Sequence, residues 1–377
     1  MATIQIISAK MFHVKVPLKK PFTTHLQSVE ERESILIEMM DADGTIGVGE
    51  CVAFTSPWYT EETVSTAWLA IEQWLMPLVL NETFTHPNEL DHAMSSVKGN
   101  RMAKASLNHA LWDIYSKKMI QPLWKLIGGV RRDIEAGVVI AENNFTDLLT
   151  KVDELATDGY KRVKLKISTT SNPTELKELV NRFPNLQFFA DANGAFSKDS
   201  IHILKQYDDV GLTLIEQPFS EDENLLSAQV QATMKTPFAL DESITSYSDA
   251  KQMNKEQSGK IIVLKQGRVG GLSEALKIHQ LAMEENIPLW IGGMIEFGVS
   301  KAFNAAFASL PSIKYPGDFS SADYFFEQDL ATPAVQVQNG IYSLTNEPGV
   351  GVLWNHELIE QFLIKKQVWN EKPRKGT

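Results

Sequence analysis

Val163-Lys164-Leu165-Lys166-Ile167 decides the fold. Strict alternation along an extended chain puts Val163, Leu165 and Ile167 on one face and both lysines on the other. Alone, the pentapeptide also fits a surface strand with two solvated lysines. The sequence downstream weakens that reading. Short apolar runs recur, each closing on a charged residue: Phe188-Phe189-Ala190-Asp191, Leu214-Ile215-Glu216, Phe238-Ala239-Leu240-Asp241 and Ile261-Ile262-Val263-Leu264-Lys265. From Lys166 to Lys265 the charged residues follow one another at intervals of 25, 25, 25 and 24 residues. That interval is one strand plus one returning helix, the repeat of a parallel sheet whose outer face is covered by helices. In such a sheet the apolar face meets the helices. The lysines must then point into the barrel, which is costly for charged groups unless they are paired or functional.

Working outward, strands are expected near Ala136 to Ala141, Arg162 to Ile167, Gln187 to Asp191, Thr213 to Glu216, Phe238 to Asp241, Ile261 to Lys265, Leu289 to Gly292 and Ile313 to Tyr315. Eight strands separated by helical stretches predict an α/β barrel. The N-terminal part reads differently. Ile4, Ile6, Phe12 and Val14 alternate, and the runs Ser34 to Met40 and Thr45 to Cys51 flank Asp43-Gly44, a hairpin signal. Two helices follow, one capped by Thr60 with Val64, Trp68, Ile71 and Leu75 on one face, the other carrying Ala103, Leu107, Ala110, Leu111 and Ile114. Pro122 and Gly128-Gly129 break this α+β pattern, placing a domain boundary near residue 130.

Composition narrows the function classes. At 377 residues, 43% hydrophobic and 22% charged, the chain is an ordinary globular protein of about two domains. A formal net charge of −11 disfavours nucleic acid or an anionic membrane surface as partner, so an anionic small substrate would need local positive charge. The single cysteine, Cys51, excludes an internal disulfide framework, and no apolar run reaches membrane-spanning length. A cytoplasmic location is the expectation. The basic tail, with Lys365, Lys366, Lys372, Arg374 and Lys375, reads as a solvated terminus.

Asp191, Glu216 and Asp241 end three consecutive parallel strands and so converge in space, offering hard oxygen ligands suited to magnesium. Any one of them could instead cap the helix that follows. Three at matched spacing, with a lysine one unit before and another one unit after, favour the metal. Lys166 and Lys265 then face each other across the site, where one can remove a proton while the other stabilises charge or reprotonates. A lysine base must be neutral, and Lys164 beside Lys166 disfavours the charged form. None of the eight histidines sits at an expected strand end, so no rival base competes.

The order Lys164-x-Lys166, Asp191-x-Asn193, Glu216-Gln217-Pro218, Asp241-Glu242-Ser243 and Lys265 resembles the enolase superfamily, specifically its muconate lactonizing subgroup. Ala110-Leu111-Trp112-Asp113 and Pro122-Leu123-Trp124 resemble the segment that joins that family's cap to its barrel. The resemblance implies a modified (β/α)7β TIM-like barrel over residues 131–324, with an α+β capping domain over 1–130 completed by the C-terminal segment 325–377. A lysine base working with magnesium through an enediolate is the pattern already known for that superfamily.

Within the subgroup, Lys19-Lys20-Pro21-Phe22, Gly49-Glu50-Cys51-Val52-Ala53, Lys265-Gln266-Gly267-Arg268, Gly292-Gly293-Met294-Ile295-Glu296 and Pro316-Gly317-Asp318 are similar to the o-succinylbenzoate synthase and N-succinylamino acid racemase family. Membership implies that Lys166 abstracts the α-proton of 2-succinyl-6-hydroxy-2,4-cyclohexadiene-1-carboxylate, that Lys265 is electrostatic partner or second base, and that o-succinylbenzoate leaves for menaquinone synthesis. Asn193, Arg268, Gly293, Met294, Glu296 and Asp318 are implied to bind substrate or support those that do. An arginine at 268 accompanies racemase activity in this family. Phe297 and Ser300-Lys301 depart from its usual small residue and Gly-Arg pair. The partner implied is a small carboxylate, with an assembly of identical chains left open. A dipeptide epimerase would show Asp-x-Asp where Asp318-Phe319-Ser320 stands, a muconate cycloisomerase finds no support in the cap loops, and a noncatalytic metal-binding barrel leaves the inward lysines unexplained.

Overall fold

The computed structural model describes residues 3–23, 27–140, 142 and 144–370. Ala141 and the tail residues Lys372, Arg374 and Lys375 lie outside the described residues.

The N-terminal part is built on an antiparallel sheet. Strands β1 (Ile4–Thr23), β2 (Ser28–Asp41) and β3 (Ile46–Cys51) lie side by side in that order. The β2–β3 hairpin turns through Gly44 at φ +88°, the left-handed conformation glycine takes without strain. Across this sheet lies the helix Arg101–Lys118. Its approach is close because Gly47 and Gly49 have no side chain: a Cβ on Gly49 would stand 1.9 Å from the Ser106 carbonyl oxygen, and one on Gly47 2.0 Å from that of Ala110. The first helix begins one turn later than the sequence implied. Thr63, not Thr60, is the N-cap of Val64–Ala70, because Thr63 and Thr66 exchange side-chain and backbone hydrogen bonds in a capping box. Val64, Trp68, Ile71 and Leu75 are buried, so the apolar face is as read.

The second part is a parallel barrel. Strands β4 (Asp133–Ile140), β5 (Arg162–Lys166), β6 (Gln187–Asp191), β7 (Leu214–Glu216), β8 (Phe238–Leu240), β9 (Ile261–Leu264) and β10 (Leu289–Ile291) are neighbours in sequence order. Each is followed by at least one helix. The eighth position is filled in two pieces. Ile313 bridges to Leu289, and β11 (Gly317–Asp318) pairs with Ala136 and Gly137 of β4. The expected strand Ile313–Tyr315 is therefore a single bridge, with the regular pairing displaced past Pro316, which has no N–H to give a ladder. The result is a nearly closed (β/α)7β barrel. Phe189, Leu214, Ala239, Ile261, Val263 and Trp290 fill its interior as a separate apolar cluster.

After the barrel the chain serves both parts. Ile341–Ser343 pairs with the start of β4, whereas the last strand, β12 (Leu363–Trp369), adds to the N-terminal sheet beside β1. Among the described residues no helix is long and apolar enough to cross a membrane.

Because backbone, not a flexible side chain, occupies the space beside Gly49, Gly49→Ala forces sheet and helix apart. We expect a loss of about 1–3 kcal/mol of stability, read as a lower urea midpoint with unchanged slope. An unaltered midpoint would mean the helix does not rest on this strand.

Candidate active site

Strand register brings the expected residues to one level. In the ladder Lys166 pairs with Asp191 and Asp191 with Glu216, while Glu216 pairs with Ala239, which sets Asp241 two residues further on. Lys265 follows the end of β9. Lys166 and Lys265 thus stand at the ends of β5 and β9, four strands apart in an eight-position ring, on opposite sides of one pocket.

Lys164 is the centre of charge. Its ammonium lies 3.1 Å from Glu216, 3.2 Å from Asp191 and 3.2 Å from Asp318, and 5.0 Å from the centre of the Trp290 ring. Burial opposes a charged lysine there, but Asp318, Glu216 and Asp191 outweigh it and raise its pKa well above the ordinary value. Lys166 donates to Asp191 Oδ2 at 2.7 Å and to Asn193 Oδ1 at 2.5 Å. Both lysines therefore share Asp191, whose pKa they lower against the effect of burial. Asn193 is fixed in turn by donating to Glu242 at 2.9 Å. Burial and the neighbouring Asp241 charge push the Glu242 carboxyl up to about 7.

On the far side, Lys265 donates to Asp241 Oδ2 and to the Tyr59 hydroxyl, both at 2.7 Å. Arg268 holds the other oxygen of Asp241 and donates to the same Tyr59 hydroxyl at 2.7 Å. Arg268 is buried behind Lys265 and does not line the pocket. Despite burial, Asp241 raises the pKa of Lys265, and Arg268 with Lys265 lowers that of Asp241. Gly292 leaves room for this arrangement, since a Cβ there would stand 2.5 Å from the Lys265 Cε.

The wall between β10 and β11 is strained and braced from the cap. Ile295 has φ +54°, a left-handed conformation costly for a β-branched residue. Its carbonyl accepts from the buried Arg32 at 3.1 Å, and Arg32 also donates to the Val52 and Ala53 carbonyls of the cap. Glu296 accepts from the Met294 N–H and, at 2.8 Å, from Asn304. Gly293 donates to Asp318 at 3.2 Å. Glu50, from β3, receives the N–H groups of Phe297 and Ser300 at the start of the helix Gly298–Ala308.

The pocket above these residues encloses about 810 Å³ when its open mouth is counted. Phe22, Phe54, Trp58 and Tyr59 of the cap line it together with Lys164, Lys166, Asp191, Asn193, Lys265, Gly293, Met294, Glu296 and Asp318. Every expected site residue thus lies at the pocket or one contact behind it. Sequence reasoning missed Tyr59, Arg32 and Arg162. Tyr59 comes from a cap loop with no pattern of its own. Arg162 is buried in the barrel floor, 2.7 Å from Asp318 and stacked over Phe189 and Trp290, and its place at the inward-facing start of the Lys164-Lys166 strand was the available signal.

As they stand, Asp191, Glu216 and Asp241 do not converge on one point. Among the described residues no three acidic, histidine or cysteine side chains are arranged to hold a metal ion. Each carboxylate is turned instead to a lysine or arginine. The donor chemistry and strand positions still fit a hard divalent cation. Burial first, and then the Asp191 charge, push the Glu216 carboxyl well above its usual range, with Lys164 opposing.

A parallel barrel whose strand ends carry opposed lysines around buried acids, roofed by an antiparallel cap, is the architecture of an enzyme of the enolase type. Residues 147–358 match the family described as enolase C-terminal domain-like, and residues 6–128 the mandelate racemase / muconate lactonizing enzyme N-terminal domain. The chain belongs to the enolase superfamily. It is 39% identical to the o-succinylbenzoate synthase of Bacillus subtilis, an alignment covering 98% of this chain and 99% of that one. It is 36% identical to the N-succinylamino acid racemase of Thermus thermophilus over 96% of this chain and 98% of the relative. A crystal structure of an enolase superfamily member from Listeria innocua superposes with a TM-score of 0.95 at 34% identity, covering 98% of this chain and 100% of that one.

Asp318 provides a pH test of the charge cluster. Burial would raise its pKa, but Lys164 and Arg162 hold it at about 2, below the ordinary 3.8. A depressed carboxyl pKa stabilises the folded state above 3.8, and that contribution is lost as pH falls toward 2. Asp318→Asn is therefore expected to cost about 3 kcal/mol near neutrality, as for one partner removed from a buried pair. Urea unfolding of both proteins checks it: the gap should be constant above pH 4 and close in acid. A gap that widens in acid would contradict the ionised pair.

Proposed function

We propose that the chain is an o-succinylbenzoate synthase, a lyase that removes water from 2-succinyl-6-hydroxy-2,4-cyclohexadiene-1-carboxylate. The observation that carries this is Lys166 and Lys265 on opposite sides of a cap-roofed pocket, with the acids between them. Relatives bearing that name, similar over nearly the whole chain, support it.

The Lys166 Nζ takes the proton from the carbon bearing the carboxylate. The electron pair of that C–H bond spreads into the carboxylate as an enediolate. As the hydroxyl on the adjacent carbon leaves, the pair forms the ring double bond, and Lys166 returns its proton to the departing oxygen as water. The ring becomes aromatic. Asp191 and Asn193 aim the Lys166 Nζ, because both accept from it. Lys265, gripped by Asp241 and Tyr59, holds positive charge where negative charge develops. Magnesium, held by Asp191, Glu216 and Asp241, would neutralise the carboxylate and the enediolate charge. The support for it is the donor set, three carboxylates at the ends of three consecutive strands. Menaquinone synthesis in the cytoplasm is the setting this product implies.

Racemisation of N-succinylamino acids on the same site is the second reading, favoured by Arg268, which shares Asp241 with Lys265 by holding its other oxygen. It requires Lys265 to take or give a proton on the opposite face.

Purified protein given the cyclohexadiene acid should form an aromatic product followed by absorbance. Lys166→Ala should lower kcat by about 10²–10⁴-fold, and Lys265→Ala by about 10²-fold or more. Full turnover by Lys166→Ala would remove the base assignment. Chelation should abolish turnover and magnesium restore it, and activity indifferent to chelator would refute the metal set.

A further inference from the structure

His109 is a buried titratable residue that the mechanism above does not use. It lies in the cap helix Arg101–Lys118 and is 0% exposed. Its ring stacks on that of Phe303, with 4.1 Å between centroids. Burial pushes its pKa down to about 3, so the imidazole is neutral and carries one N–H. Nδ1 has no hydrogen-bond partner among the described residues, whereas Nε2 lies 3.2 Å from Gln266 Oε1. A phenylalanine would stack on Phe303 and leave no buried nitrogen unpaired, so packing alone does not account for the histidine. The Nε2 contact opens a chain. Gln266 Nε2 donates to Asn304 Oδ1 at 3.1 Å, and Asn304 Nδ2 donates to Glu296 Oε1 at 2.8 Å. Gln266, Asn304 and Glu296 are all buried. The chain runs in one direction only. The Glu296 carboxylate receives, so Asn304 must turn its amide nitrogen to Glu296 and its oxygen to Gln266. Gln266 must then turn its own oxygen to His109, whose proton has to sit on Nε2.

Two members of the chain border the site. Glu296 lines the pocket wall, while His109 does not reach the pocket. Gln266 directly follows Lys265 and opens the short helix Gln266–Val269, which carries Arg268. Lys265 and Arg268 hold the two oxygens of Asp241. That short helix lies close against the cap because Gly267 has no side chain: a Cβ there would stand 2.4 Å from Val52 Cγ2. We propose that His109 is a positioning residue of the active site, acting from the cap. Its Nε2–H orients the Gln266 and Asn304 amides, which set the Glu296 carboxylate in the pocket wall and seat the turn that follows Lys265. Aligned hydrogen bonds in a dry interior polarise one another, so the last link depends on the first. The effect on turnover rests on the proposed reaction, and the chain itself does not.

A pair of variants separates the donor from the ring. His109→Phe keeps a ring on Phe303 and removes the N–H, whereas His109→Gln offers an amide N–H to Gln266 and removes the ring. With the cyclohexadiene acid and magnesium, His109→Phe should lower kcat about tenfold while KM stays within about twofold of wild type. His109→Gln should recover most of that loss. Wild-type kcat in His109→Phe, or a folded His109→Gln that recovers nothing, makes His109 a packing residue and overturns the proposal. The chain is also read without turnover, by NMR of protein carrying isotope-labelled histidine. A fully buried Nε2–H exchanges slowly with water, and the signal lost in His109→Phe assigns it. Glu296→Gln removes the charge three hydrogen bonds away and should move that signal upfield, since a weaker final acceptor pulls less on each donor in turn. An unmoved signal, or a proton found on Nδ1, overturns the chain. If wild type does not turn over the acid, the proposed reaction is wrong and the signal alone decides whether His109 sets Glu296: a moved signal upholds it, an unmoved one removes it.

Discussion

Lys164 and the three carboxylates around it are the constraint on which the barrel depends. A lysine with almost no exposure is tolerable only because Asp191, Glu216 and Asp318 each lie about 3.2 Å from its ammonium. Those acids come from three different strand ends, two of them adjacent and one at the seam where the barrel closes. Satisfying one buried charge therefore fixes the register of β5, β6, β7 and β11 together. The same register places Lys166 on Asp191 and Asn193, so the group proposed to move a proton inherits its position from the group that holds the strands.

The second dependence runs between cap and barrel. Arg32 donates to carbonyls on both, and Glu50 seats the helix Gly298–Ala308 from the cap side. The strained Ile295 lies where those contacts meet. The pocket wall is thus made by the interface rather than by either part. An open barrel alone would leave the charged strand ends in water, where ion pairs are weak and developing charge is poorly stabilised.

Much of this was written in the sequence because the barrel's chemistry has a period. Alternation in Val163–Ile167 fixed which face the lysines take, and the spacing of about 25 residues put Asp191, Glu216, Asp241 and Lys265 on successive strand ends. What depended on contacts between distant segments was hidden. Tyr59 reaches Lys265 across 206 positions and Arg268 across 209, with no periodic signal to announce it. Arg162 read as part of an ordinary strand, although it is the buried partner of Asp318. The start of the first helix went to Thr60 by residue type, whereas Thr63 won through its reciprocal bonds with Thr66. Ile313–Tyr315 read as the eighth strand by apolar content, and Pro316 moved the regular pairing on to Gly317–Asp318. Resemblance, not spacing, singled out Arg268, Glu296 and Asp318. The structure shows what they touch: Arg268 holds Asp241, Glu296 receives the Met294 N–H, and Asp318 completes the shell around Lys164.

The central claim is that these strand ends take a proton from carbon beside a carboxylate, and hydrogen exchange tests it without requiring any product to form. Each enantiomer of an N-succinylamino acid is incubated with wild type and with Lys166→Ala in deuterium oxide with magnesium, and loss of the α-proton signal is followed by NMR. The account predicts exchange by wild type and its fall to background in Lys166→Ala for the enantiomer whose α-proton faces that lysine. Exchange of both enantiomers at the wild-type rate in Lys166→Ala would contradict it.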